Sequence, residues 1–211
     1  MGDRMLIPGV VLLAGLLAGG ELSVEAQLVP DSTLGNEAST LNGNGSVQGN
    51  SALLIEGGAL RGANLFHSFQ QFNVAAGEQV YFANPIGINH IISRVTGGDR
   101  SLILGRLGVN GNASLFLLNP AGILFGRDAQ LDLRGAFVAS TASALQFGSQ
   151  GHFSAEQPQS PPLLTVNPSA LVFNQVNSGR IENQSALAAG LAFPGGISLF
   201  GLQVAEQQSF L

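Results

Sequence analysis

Beyond residue 20 the chain never sustains an apolar run of helical length. Short segments rich in Val, Ile, Leu and Phe recur instead, among them SALLIEG (51–57), NLFHSFQQFNV (64–74), EQVYFA (78–83), HIISRVTG (90–97), SLILG (101–105), AQLDLRGAFVAS (129–140) and GRIENQSA (179–186). Glycine (29 residues) and asparagine (15) are spread between them. Such segments, bounded by Gly, Asn, Pro or Asp, read as strands separated by turns. No window outside the N-terminal stretch carries a 3.6-residue apolar period over helical length. The chain is therefore expected to be all-β.

The kind of β architecture follows from how the apolar residues are arranged. Sandwich and barrel strands alternate in and out, whereas LILG and LFLL are apolar at successive positions. Runs of this kind, cornered by Gly, Asn or Asn-Pro, suit a parallel β-helix with coils of about twenty residues. Its corners need positive φ, which Gly and Asn supply, and stacked asparagines can bond along the axis. LFLLNPAGILFG (115–126) shows one such corner, with Asn119 and Pro120 breaking two apolar runs and Gly122 beyond them. Proline cannot donate to a sheet ladder, so a tight turn must sit there. VYFANPIGINHII (80–92) repeats the break at Asn84 and Pro85, and LLTVNPSALVF (163–173) echoes it. EQPQSPPLL (156–164) reads as an extended excursion from the coil, and NGNGSVQGN (42–50) as a turn or flexible loop.

Residues 1–26 have the pattern of a secretory signal peptide. Arg4 precedes the apolar stretch LIPGVVLLAGLLAGG (6–20), and the small residues of Val24-Glu25-Ala26 suit cleavage between Ala26 and Gln27. The apolar stretch is shorter than the ~20 residues of a membrane-spanning helix and contains Pro8. Residues 27–211 then form one domain with a sizeable core. Beyond residue 26 the chain holds ten acids against seven arginines and no lysine, a balance unsuited to nucleic acid or anionic lipid. The absence of cysteine excludes disulfides, thiolate metal sites and cysteine nucleophiles.

Few residues offer chemistry. His67, His90 and His152 fit no metal-ligand spacing and read as satisfied surface or corner histidines. Asp128 and Asp132, with Arg127 or Arg134, could serve as a polysaccharide-cleaving acid–base set on a β-helix. A solvated strand edge accounts for them better. Asn183-Gln184-Ser185 fits a glycosylation pattern, a short match that carries little weight by itself. Most of the 13 phenylalanines fall within apolar runs and read as core. No catalytic residue, metal ligand or cofactor is expected.

The ordered series LFHSFQQFNV (65–74), ANPIGINHIISRVTGG (83–98) and LFLLNPAGILFG (115–126) resembles the secretion domain of filamentous-haemagglutinin-like exoproteins, the passengers of two-partner secretion. Phe69, Phe72, Asn73 and Val74 fit the family's FNV segment. Asn84 and Pro85 stand in its NPNL motif, and Asn119, Pro120, Gly122 and Ile123 match its NPNGI motif. The resemblance runs from about Val29 to FNQVNSGRIENQ (173–184) and is closest in flavour to the cyanobacterial branch. Ile86 and Ala121 depart from it, each standing where the family has asparagine.

The resemblance implies a right-handed parallel β-helix, a single-stranded pectin-lyase-like solenoid with an N-terminal cap and small extra-helical β elements. It also implies a route. The general export machinery of the inner membrane carries the chain to the periplasm. Periplasmic POTRA-type domains of a dedicated outer-membrane β-barrel transporter then bind it, with Asn84, Pro85, Asn119, Pro120, Gly122 and Ile123 as recognition and turn motifs. The domain finally nucleates β-helix folding at the cell surface or in the medium. Two other readings are a β-helical carbohydrate-active enzyme and a free-standing adhesin with host or matrix glycans as partners. The strand-like close GLQVAEQQSFL, without a capping segment, suggests a truncated or split β-helix.

Overall fold

The computed structural model describes residues 27–174, 179–185, 197–200 and 204–206. The expected leader over 1–26, including Ala26, and the last five residues lie outside these. The strands are β1 (Leu28–Pro30), β2 (Ser39–Val47), β3 (Asn50–Gly57), β4 (Ala59–Arg61), β5 (Asn64–Phe72), β6 (Gln79–Ala83), β7 (His90–Val95), β8 (Ser101–Ile103), β9 (Arg106–Asn110) and β10 (Ser114–Leu118). They continue as β11 (Ile123–Phe125), β12 (Gln130–Asp132), β13 (Phe137–Ser140), β14 (Ala144–Gln146), β15 (His152–Ser154), β16 (Ala170–Val172), β17 (Ile181–Asn183), β18 (Ile197–Phe200) and β19 (Val204–Glu206). One short 3₁₀ turn, Gly35–Glu37, interrupts them.

Three parallel ladders run side by side. One stacks β3, β6, β9 and β12; a second stacks β5, β7, β10, β13 and β18; a third stacks β8, β11, β17 and β19. Val74 bridges Ile103 and so starts the third ladder. The chain visits the ladders in rotation, which makes about three turns of a β-solenoid. Asn64 lies opposite His90, and His90 opposite Ser114, so one turn takes roughly two dozen residues. Antiparallel strands close the first level: β2 pairs with β3, while β1 and β4 share the free edge of β5. The NGNGSVQGN segment is part of this closure. Rather than a loose loop, it is a hairpin turning on Gln48 and Gly49, both at positive φ (52° and 82°), as a two-residue hairpin of right-handed twist requires.

The runs of successive apolar residues have two destinations. Alternate residues of the second ladder (Leu65, Phe69, Ile91, Val95, Leu115, Leu117, Phe137 and Ala139) point into the tube. The residues between them (Phe66, Ile92, Phe116 and Leu118) point outwards and are nevertheless covered. Their cover is the extra-helical sheet of β14 with β15 and β16 on either side, contributed by the chain between β13 and β17. Leu145, Phe147, Phe153 and Leu164 from that excursion complete the outer cluster together with Leu34 of the N-terminal cap. Burial of each such side chain stabilises by ~1.5–3 kcal/mol. The proline-rich stretch 156–164 is the unpaired part of the excursion.

One charge sits in this outer layer. Arg94, on β7, is 1% exposed. Its Nε donates to Ser68 Oγ (2.9 Å), Nη1 to the Ser154 carbonyl (2.8 Å), and Nη2 to Thr33 Oγ1 (2.7 Å) and the Gln159 carbonyl (2.9 Å). The guanidinium carbon lies 4.0 Å from the Phe153 ring centre. Asp31 is the counter-charge. It accepts from the hydroxyls of Thr33 (2.6 Å), Thr96 (2.7 Å) and Ser68 (2.8 Å) and from the Thr33 amide (2.9 Å). Burial lowers the Arg94 pKa to about 10, against the pull of Asp31, so the guanidinium remains charged. Burial also acts to raise Asp31, but the hydrogen bonds outweigh it and hold the carboxyl below its usual range.

Removing Arg94 leaves Asp31 uncompensated and the two carbonyls without donors. Arg94→Met is therefore expected to lower the unfolding free energy by ~3–5 kcal/mol. Arg134→Ala, on an exposed side chain, should change it by less than about 0.5 kcal/mol. Urea titrations followed by circular dichroism measure both.

Candidate functional site

The sequence motifs mark corners, and the structure divides them by accessibility. Phe69, Phe72 and Val74 are core residues at 0–1% exposure. Phe72 packs edge-on to Phe69 (5.1 Å) and stacks on Phe82 (5.9 Å). Asn73 is half-buried, and its Oδ1 accepts the Leu102 amide (2.9 Å). The Val74 amide donates to the Leu102 carbonyl, and the Leu104 amide to the Val74 carbonyl (both 2.8 Å). This segment turns the first level into the third ladder and offers little side-chain surface.

Asn119 is also fully buried. Its Nδ2 donates to the Asp99 carbonyl (3.1 Å) and Ser101 Oγ (3.0 Å) on the preceding level, while its Oδ1 accepts the Ala121 amide (2.9 Å). The Gly122 amide closes the turn on the Asn119 carbonyl (3.0 Å). Asn-Pro-x-Gly is the residue order a type I turn favours. Ile123 then enters the core. Pro120 and Ala121 are covered in part by the chain returning from the excursion, where the Gly179 amide donates to the Pro120 carbonyl (2.6 Å). A Cβ at Gly179 would clash with the Ala121 carbonyl carbon, so only glycine lets the returning chain lie this close.

The other corner is open. Asn84 Oδ1 accepts the amides of Asn112 (2.9 Å) and Ala113 (3.0 Å) on the next level. Its Nδ2 donates to the carbonyls of Pro85 (3.2 Å) and Ile88 (3.1 Å). The Ile88 amide returns to the Pro85 carbonyl (3.2 Å), with Gly87 at φ +86°. Pro85 and Gly87 are exposed, and Ile86 between them is fully exposed at 106%. A branched apolar side chain thus projects from a turn whose backbone is pinned at both ends.

Two expectations about corners change here. Positive φ falls on glycines and on Gln48, and on no asparagine among the described residues. The asparagines work through their side chains, satisfying backbone groups that the ladders leave unpaired at the bends. They do so by reaching different partners rather than by stacking on one another. Asn167-Pro168, the third echo, is not a solenoid corner; it lies in the excursion ahead of β16, with Asn167 exposed.

The remaining candidates have structural roles. Asp132 accepts the Tyr81 hydroxyl (2.7 Å), while Asp128, Arg127 and Arg134 are exposed. Among the described residues no group of three His, Cys, Asp or Glu side chains could hold a metal. Asn183 of the glycosylation pattern is buried, and its Oδ1 accepts the Ser185 amide (3.1 Å) and hydroxyl (2.6 Å). His90 Nδ1 pairs with Asn64 Oδ1 at 3.0 Å, and His152 is exposed. His67 is neither at the surface nor at a corner: it lies inside the first level, fully buried, with Nδ1 3.0 Å from Ser39 Oγ, its ring against Phe82 and Nε2 without a hydrogen-bond partner among the described residues. Sequence reasoning missed Asp31, Thr33, Ser68 and Arg94 as a set. The available signal was a lone arginine within HIISRV, an otherwise uncharged strand in a lysine-free chain.

The family model of the TPS secretion domain matches residues 26–209. The chain belongs to the TPS secretion domain family. Proteins of this family are exported to the cell surface or medium, and transporters of the two-partner type recognise the domain. A relative, the heme/hemopexin-binding protein of Haemophilus influenzae, is 31% identical over 72 residues. That match takes in 34% of this chain and only 8% of the length of that protein. The crystal structure of a filamentous hemagglutinin secretion domain aligns with 87% of this TPS domain and 60% of its own chain, at 18% identity and a TM-score of 0.47.

The buried corner and the buried histidine each give a stability prediction. Asn119→Ala strands the Ala121 amide and the Asp99 carbonyl and should cost ~1–3 kcal/mol. Ile86→Ser should change stability by less than about 0.5 kcal/mol. Burial lowers the His67 pKa to about 3 from an ordinary 6.5. The unfolded chain therefore binds the proton first, and stability falls as pH drops through the interval between those values. Asp31 acts lower down: its stabilisation is complete above the ordinary carboxylate pKa and is lost as pH falls through the depressed folded value. His67→Leu should flatten the dependence of the urea midpoint between about pH 6 and pH 4 while leaving the decline below it.

Proposed function

We propose that this TPS domain is read by a cognate outer-membrane β-barrel transporter through the corner at Asn84–Asn89, with Ile86 as the apolar contact. The observation that carries the reading is the full exposure of Ile86 on a turn held by Asn84. The hydrogen bonds from Asn84 Nδ2 and from the Ile88 amide lie within five residues. A turn of this kind can form before the solenoid exists, which suits a partner that meets an unfolded chain in the periplasm. The Asn119-Pro120-Ala121-Gly122 turn is equally local and could be presented in the same unfolded state. In the folded domain its duty is structural.

On this reading residues 1–26 are the leader for the inner-membrane export machinery, removed between Ala26 and Gln27. POTRA-type periplasmic domains of the transporter receive the released chain. The domain acts without catalysis: it emerges, folds, and serves as the nucleus on which further β-helix stacks. Folding outside the membrane needs no nucleotide, because the emerged domain buries apolar surface that the threaded chain exposes and, once folded, cannot slide back.

Ile86→Asp tests the contact. Co-expressed with the cognate transporter, the variant is expected to reach the medium at under a tenth of the wild-type level, the factor that ~1.4 kcal/mol of lost binding produces. The urea midpoint of the purified domain should stay unchanged. Secretion at the wild-type level would move recognition away from this corner. Ala-Ala at Asn119-Pro120 is the less decisive variant, since it also weakens the fold.

A further inference from the structure

The chain leaves the solenoid after β13 and rejoins it at β17, and what lies between does not stay beside the level it left. The Phe153 ring sits 4.8 Å from Phe66 of the first level, and Phe147 sits 5.4 Å from the same ring. Asn64 Nδ2 donates to the carbonyls of Leu164 (2.7 Å) and Val166 (2.8 Å). Arg61 Nε lies 3.1 Å from the carbonyls of both Pro161 and Pro162, and its Nη atoms grip Glu37 of the cap (2.8–2.9 Å). Arg94, on the second level, reaches the carbonyls of Ser154 and Gln159. The side-chain bonds thus run from the excursion back across the sheet to the first two levels, spanning 60 to 102 positions in sequence.

We propose that residues 141–174 are a latch: the cap and the first level reach their full native stability only when it has docked, so the domain closes as one unit rather than level by level. A chain ordered as far as Ser140 already has all the strands that line the tube up to β13. Its outer face would still expose Leu34, Phe66, Ile92, Phe116 and Leu118 as one apolar patch, of the kind that folded surfaces avoid. Arg94 and Asn64 would have lost two carbonyl acceptors each. The tube interior is indifferent to the latch; the outer layer and the polar network are not complete without it. A strictly vectorial growth of levels would instead make the first level the most independent part of the fold. The latch acts within this chain and holds whether or not a transporter reads the Asn84 corner.

Native-state hydrogen exchange on the full chain separates the two behaviours. Phe153→Leu should lower the protection of β4 and β5 amides by the same factor as that of β14 and β15, by about tenfold or more. Loss confined to β14 and β15, with β4 and β5 unmoved, would make the excursion a passive cover and overturn the proposal. Pulse labelling during refolding of the wild-type chain gives an independent reading that needs no variant. Amides of β5 and β15 should become protected in a single phase; protection of β5 ahead of β15 would overturn the latch.

Discussion

Arg94 sets the terms for the rest of the structure because it is a charge that water cannot reach. A buried guanidinium persists only if its counter-charge and every hydrogen-bond acceptor are supplied by protein. Here those groups come from three places: Asp31 and Thr33 in the cap, Ser68 on β5, and the carbonyls of Ser154 and Gln159 in the excursion. No two of these segments are adjacent in the chain. An arrangement that misplaced the cap or the excursion would leave the charge short of partners. Apolar packing around it tolerates small displacements, whereas the network does not. It therefore fixes where the outer layer docks, and the apolar residues supply most of the stabilisation.

Much of the solenoid was legible because its second ladder is buried on both sides. LFLL has no exposed residue, so it reads as an uninterrupted apolar run, which distinguishes a covered parallel sheet from a half-exposed one. What escaped the sequence are strands whose burial depends on a neighbour. RLGVN, which forms β9, has glycine at its centre because the Tyr81 ring lies over Gly108. STLNGNGSV, which forms β2, has mostly exposed or half-exposed side chains and is held as a strand by its hairpin with β3. Alternation and propensity carry no trace of either cause. The excursion was legible as a departure from the coil, through its prolines. That it folds back onto the first level was not, because sequence patterns hold no information about contacts a hundred residues apart.

The corners show how one dipeptide can acquire two duties. Asn-Pro opens a tight turn at both corners, closed on Pro85–Ile88 in one and on Asn119–Gly122 in the other, and in each the asparagine side chain satisfies nearby backbone. What differs is the company each turn keeps. Gly179 brings the returning chain down over Pro120 and Ala121, so that turn is sealed into the fold. The Asn84 corner is held at its base, by Asn112 and Ala113 on the next level and by the Ala63 carbonyl of the preceding one, which accepts the Asn89 amide (2.9 Å), and its tip stays exposed. The two departures from the family motif fall on these unequal corners. At residue 121 the backbone amide is already taken by Asn119 Oδ1, so the turn does not require a polar side chain there and alanine is sufficient. At residue 86 nothing in the fold constrains the side chain, so an isoleucine held in water is a cost without a structural return. A partner that buries it would supply that return, and this makes position 86 the more informative of the two departures about what the domain meets.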